Sequence, residues 1–369
     1  MRRFSFVSSV LAAGLFGAPA TSFIMAPPVP LAPANGGVVT TLAGGTHKNT
    51  DGSPYYGGFS DGRGGAAEFR VLKGLASDGR GTLYVADYRR IRKVTVATGE
   101  VSTLAGGKDA FGDADGVGTA ARFGSLTGMV LDRQGNLYVA DEENGLIRKV
   151  VVATGAVTTL AGGNKEAHGE QINGRGRRAN FYKPSALALD NNGTLYVADA
   201  EANAIRKVVV ATGEVTTLAG RGSHESRHHD GIGADATFDK PNGLALDGQG
   251  NLYVAETERI RKIVLATAEV STLAGRDRYD DFNPMPEVLP HGPIAVDANG
   301  DVYFAAFRGV IKIALAARYM DMFVGSKTEG NADGIGAAAT FGYVNGMTVD
   351  SRGTFYVTDG SNHSVRMIK

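Results

Sequence analysis

Beyond about residue 37 the chain alternates short apolar runs with glycine-rich polar breaks, and the runs recur in a fixed order. An apolar five-mer returns as "LYVAD" (83–87), "LYVAD" (137–141), "LYVAD" (195–199), "LYVAE" (252–256), "VYFAA" (302–306) and "FYVTD" (355–359). After it come "IRKV" (91–94), "IRKV" (147–150), "IRKV" (205–208), "IRKI" (260–263), "IKIA" (311–314) and "VRMI" (365–368). Ahead of it stands a run ending in Asp, such as "GLASD" or "ALALD". A fourth run, "VTTLAGG" or a near copy, occupies 101–107, 157–163, 215–221 and 270–276 and decays to "MFVG" at 322–325. The runs are five or six residues long, rich in Val, Leu, Ile, Tyr and Thr, and lack a sustained helical period, so they predict strands. Breaks such as "DGRGT" and "DNNGT" place Gly where a tight hairpin needs positive φ.

Four antiparallel strands in a unit of roughly 50–58 residues describe a β-propeller blade. Six five-mers predict an all-β, six-bladed propeller over residues 38–369. The sixth unit has only three runs before Lys369, and an orphan "VVTTLAGG" stands at 38–45. That orphan is expected to complete the last blade and close the ring, removing two open sheet edges.

Composition narrows the function more than the fold. The 369 residues carry 38 Lys+Arg against 38 Asp+Glu, which leaves no electrostatic footprint for nucleic acid or an anionic membrane. The absence of cysteine excludes disulfides, thiolate metal sites and cysteine nucleophiles. At the N-terminus, "MRR" precedes an apolar run and Ala18-Pro19-Ala20, the pattern of a signal peptide over 1–20. Residues 21–37, rich in Pro and Ala, read as a semi-rigid, unpacked spacer. Export is the expectation, with no transmembrane segment after cleavage. The alternative is a plastid or thylakoid lumen of an alga with secondary plastids, because "ATSFIMAPP" resembles the junction of a bipartite presequence.

The repeats resemble the NHL repeat family, most fully in "LYVADEENGLIRKV" (137–150) and "FYVTDGSNHSVRMI" (355–368). The resemblance covers 38–369 and implies the propeller. It leaves function open, since such propellers serve as protein- or RNA-binding platforms, as sensor domains and in a peptide-amidating lyase.

Polar residues repeated around a ring are expected to serve the ring. The Asp after the second strand and the Arg of the third form candidate pairs Asp87/Arg92, Asp141/Arg148, Asp199/Arg206, Glu256/Arg261 and Asp359/Arg366. In the fifth unit both partners change together, to Ala306 and Lys312, as a structural ion pair would. A second string, "DGRGGAAEF" (61–69) and its relatives at 115–123, 173–181, 230–238 and 333–341, lacks the spacing of a calcium or phosphate loop. It reads as a glycine turn with Ala and Phe packing between blades.

Residues just before each inner strand are expected to ring the channel mouth: Lys73, Thr127, Ser185, Asn242, His291 and Asn345. In the lyase of this family, histidines hold zinc on the axis, and lactonase-type propellers hold calcium there. Here the mouth offers one His and no carboxylate, so no cofactor is expected, with calcium or zinc as the alternative. The cluster "HESRHHD" (224–230) supplies weak metal candidates in His224, His228, His229 and Asp230. The fifth unit abandons the repeat at 277–292 and brings Tyr279, Phe282 and three prolines, a composition suited to an interaction loop. The sequence therefore predicts a non-catalytic binding propeller that engages a protein or peptide through Tyr279, Phe282, His291, Asn242, Asn345 and Lys73. The alternative is a divalent-cation-dependent lyase or lactonase-type enzyme at the channel mouth.

Overall fold

A computed structural model describes residues 36–45, 57–107, 111–163, 172–221, 228–275, 292–306, 308–317 and 319–369. Residues 1–35, with the expected signal peptide and most of the spacer, lie outside the described residues. The described chain forms six antiparallel sheets whose inner strands neighbour one another in a closed cycle, so the propeller has six blades. Blade one comprises Leu72–Ser77, Thr82–Asp87, Arg90–Thr95 and Glu100–Ala105 from the axis outwards. The inner strands of blades two to six are Leu126–Leu131, Pro184–Leu189, Gly243–Leu246, Ile294–Val296 and Val344–Val349.

Five blades have a fifth strand that the four-run pattern does not predict. The second and third residues of each "DGxG" string pair antiparallel with the outer strand of their own blade, as Gly62↔Val101 and Arg63↔Glu100 do in blade one. Two residues are too few to carry an apolar period, so the pattern hides them. The second Gly of the string then turns the chain inward at φ 54–58°, a conformation open to glycine at little cost. The Ala and Phe that follow wedge between blades: Ala121 and Phe123 pack with Ile91 and Ala105 of blade one and Val139 and Val157 of blade two. All five Phe wedges are 0–1% exposed. Between blades four and five, where the sequence has no such string, Met320, Met322 and Leu273 border the shared core instead.

The repeated Arg is the hub of five of the six blades. In blade one, Arg92 Nη1 donates to Asp87 Oδ2 (2.8 Å) and Glu68 O, while Nη2 donates to Asp61 Oδ1 (2.8 Å) and Ser60 O. Asp87 also accepts the backbone N–H groups of Arg70 and Val71, and Asp61 accepts from Thr103 of the outer strand. The Phe69 ring lies 5.3 Å below the guanidinium. One side chain thus ties the second, third and outer strands to the incoming string. Arg148, Arg206, Arg261 and Arg366 repeat the arrangement, with strand-acid distances of 2.8–3.4 Å. Blade three uses Asn173 in place of the second acid (2.8 Å). Both members of every strand pair are fully buried. Burial pushes the Asp87, Asp199 and Asp359 carboxyls up, and Asp141 up to about 6, against the pull of the arginine and the other donors. In blade five, Lys312 reaches Asp301 at 2.7 Å and lies over Tyr303, which packs with Phe323 and Phe355.

The orphan strand is Val38–Gly44, paired with Ser364–Ile368 on one side and Gly334–Ile335 on the other. Its residues explain why one string recurs. Thr41 donates to Asp333 as Thr103 does to Asp61, Leu42 sits at a bulge and packs into the next core, and Ala43 is buried beside Phe69. Gly44 then leaves the strand at φ 76°. The spacer ends sooner than expected: Gly36 and Gly37 are buried, and a Cβ on Gly36 would meet Gly336 Cα at 2.3 Å.

Two measurements follow from this architecture. Deleting residues 38–45 uncovers Ile368, Val365 and Phe69 and removes the Thr41 contacts, so equilibrium unfolding should show a loss of about 4 kcal/mol or more, given roughly 1.5–3 kcal/mol per buried aliphatic side chain. An unchanged midpoint would refute the closure. In blade three, Asp199→Ala and Arg206→Met should each cost about 3–5 kcal/mol, because the partner is left as a buried lone charge. The double variant should cost about 1–3 kcal/mol less than the sum. Additive effects in urea melts would show that the two side chains do not interact.

Candidate functional site

The six inner strands enclose an axial cavity of about 390 Å³. Its polar lip includes Lys73, Thr127, Ser185, Asn242 and Asn345; four of them are the second residue of an inner strand rather than the residue before it, and only Asn242 precedes its strand. Blade five departs from the expectation. Ile294 pairs with Phe304 as Leu244 pairs with Val254, so Gly292 occupies the lip and His291 falls one residue earlier. Proline at the next position, where four of the other blades have Gly and blade three has Ala, obscured that register in the sequence. His291, Tyr279, Phe282 and His224 lie outside the described residues.

Three lip side chains are committed to the ring. Thr127 Oγ1 donates to Pro184 O of the next blade (3.0 Å), Ser185 Oγ to Pro241 O (2.8 Å), and Asn345 Nδ2 to Leu72 O (3.0 Å). The following position is as tight. A Cβ on Gly74 would lie 2.3 Å from Thr127 O, and one on Gly346 2.3 Å from Lys73 O, so glycine permits the blades to meet at the axis. Below this layer Leu75, Met129, Leu187, Leu244, Ile294 and Met347, one from each blade, form an aliphatic wall.

Sequence reasoning missed the ionisable residues that complete the mouth. Glu142 follows Asp141 at the end of the second strand, and antiparallel pairing returns it to the lip of blade two. Burial pushes its carboxyl above the usual range, while Lys183 and Lys73 pull it back. Lys240 also lines the cavity, two residues ahead of Asn242, with φ 48° and its N–H held by Asn203 Oδ1 (2.8 Å). Such a backbone before Pro241 is strained. Lys183 and Lys240 share Glu201 at 3.9 and 4.0 Å. The position after each "LYVAD" was the signal that could have identified Glu142.

The metal candidates are dispersed over other tasks. Asp230 is the second acid of the Arg261 hub (2.8 Å) and accepts from Thr272. His228 Nδ1 lies 3.3 Å from Glu256 Oε1, and the His229 N–H donates to Thr237. Among the described residues no three His, Cys, Asp or Glu side chains converge as a metal site. On the connections between blades, Phe111, Tyr182 and Tyr343 are exposed, and Arg89 stacks 4.4 Å over Tyr88 and 5.3 Å over Phe111.

Comparison with known proteins places this geometry. The NHL repeat profile matches residues 181–208 and 341–366. NHL repeat-containing protein 2 of Bos taurus is 34% identical over 163 residues, 41% of this chain and 22% of that protein. Protein SUPPRESSOR OF QUENCHING 1, chloroplastic, of Arabidopsis thaliana is 27% identical over 292 residues, 74% of this chain and 27% of that protein. The chain thus spans about a quarter of the length of these relatives. A gluconolactonase of Xanthomonas campestris superposes with TM-score 0.54 at 15% identity, covering 93% of this chain and 98% of that one, a likeness of fold alone. The repeat matches and the ring of six blades show a six-bladed β-propeller that carries NHL repeats and is similar to NHL repeat-containing proteins.

Proposed function

We propose that this propeller is a non-catalytic binding module that engages a protein or peptide through the face carrying the channel mouth. The observation that supports this reading is the division of labour among its polar residues. The repeated Asp, Arg and Thr build the blades, and three lip side chains link neighbouring blades. Three of the exposed aromatic residues, Phe111, Tyr182 and Tyr343, lie on connections that lead into inner strands, Tyr182 three residues before Ser185 and Tyr343 two before Asn345, and Arg89 stacks on Tyr88 and Phe111. Aromatic and arginine side chains on a rigid disc lose little entropy on contact and are the residue types that dominate binding energies. The interaction loop expected at 277–292 belongs to the same proposal.

A divalent-cation-dependent enzyme is the second reading, with the gluconolactonase likeness behind it as a fold only. The described mouth offers Glu142, Asn242 and Asn345 as oxygen donors, and Asn345 already donates its amide to Leu72 O. Export through residues 1–20 is likewise a proposal. N-terminal sequencing of the mature protein should begin near residue 21, and an intact Met1 would overturn it.

Crosslinking in the native source, followed by capture of the propeller, tests the binding reading. Phe111→Ala, Tyr343→Ala and Arg89→Glu should each reduce recovery of the crosslinked partner at least fivefold, while Val117→Ser on the outer strand edge leaves it unchanged. Equal recovery from all four, or a stoichiometric divalent cation in the purified protein by elemental analysis, would count against it.

A further inference from the structure

The fold leaves two opposite charges in the axial cavity without a direct contact, although Lys73 and Lys183 act on Glu142 at longer range. Lys183 and Lys240 share Glu201, but the side chains of Lys73 and Glu142, on neighbouring blades, have no ion pair or hydrogen bond among the described residues. Glu142 is half-buried, and a carboxylate withdrawn from water without a donor is costly to hold. Asn242 Oδ1 on the same lip is buried with no donor. Beneath these groups lies the six-membered aliphatic wall, so the cavity is polar at its rim and apolar below. An ammonium beside a carboxylate, above an apolar wall, complements a small zwitterion with an apolar body. The volume of about 390 Å³ stands near the lower end of small-molecule sites, which run from about 300 to 1,000 Å³.

We propose that the axial cavity binds a free α-amino acid with an apolar side chain. Its carboxylate faces Lys73, its ammonium faces Glu142, and its side chain lies against the wall formed by Leu75, Leu187 and Leu244. The inference rests on the mouth being a binding site and is independent of any macromolecular partner. Titration calorimetry of the full chain with leucine, methionine and phenylalanine should give saturable binding at one site. Removing a charge from the ligand (4-methylpentanoate or 3-methylbutylamine in place of leucine) should weaken binding about tenfold or more, the loss expected for one charge-assisted hydrogen bond. Glu142→Gln and Lys73→Met should do the same from the protein side, with unchanged thermal unfolding as the check on folding. If a variant fails to fold, the ligand analogues still test the same charge in the native protein. No saturable binding of any of the three amino acids, or equal affinity for leucine and 4-methylpentanoate, would overturn the proposal. Loss of partner capture with leucine binding intact would instead overturn only the macromolecular reading, so the two fall separately.

Discussion

Five of the six blades depend on a guanidinium that has been taken entirely out of water. An ion pair buried this deeply is weak as a source of net stability, because desolvation consumes most of the Coulombic gain. The upward shift of Asp141 to about 6 expresses that cost. The Nε atoms of Arg92, Arg148, Arg206, Arg261 and Arg366 add to it, since each is buried without an acceptor. What the hub supplies is geometry. A planar fork with donors in fixed directions can satisfy an acid from its own hairpin and a second polar group from the incoming string only when strand, bulge and string are in one register. A slip of one residue would turn every apolar side chain out of the inter-blade core.

From this constraint the rest of the ring follows. Once the string is held against the outer strand, its Phe is delivered between two blades and the glycine behind it must turn at positive φ. The chain then rises to the axis, where small residues let the inner strands come within contact of their neighbours. Blade five shows the alternative. Without the Arg hub it has no fifth strand among the described residues, and an aromatic cluster of Tyr303, Phe323 and Phe355 occupies the neighbouring interface. Packing of non-directional apolar groups tolerates more variation than a hydrogen-bonded fork, which is why this unit diverges furthest in sequence.

The fold was legible because strand alternation, hairpin glycines and six copies of one string all report on local structure. The orphan at 38–45 was legible for the same reason, as a copy without a unit. The site was harder to see. Lys73, Asn242 and Asn345 were found by position, but Glu142 was not, because its approach to the axis depends on antiparallel return from the far end of a hairpin. In blade five it is Gly292 that lines the cavity at this position, ahead of a Pro293 that stands where four other blades carry Gly, and His291 lies outside the described residues. The role of Asp230 was ambiguous for a different reason: a residue that pairs with a buried Arg and one that ligates a metal have the same composition, and only the third dimension separates them.

The pairing of Val38–Gly44 with Ser364–Ile368 also has a meaning in time. Within the ring, the strand synthesised first pairs with the strand synthesised last, so a growing ring carries Val39 and Ala43 with an open hydrogen-bonding edge until the sixth blade emerges. Blades one to four have all their strands long before that moment, yet the ring has no closed circumference. Completion is therefore a single late event, concentrated at one joint, and the nascent protein is most open to pairing with another copy of itself during that interval.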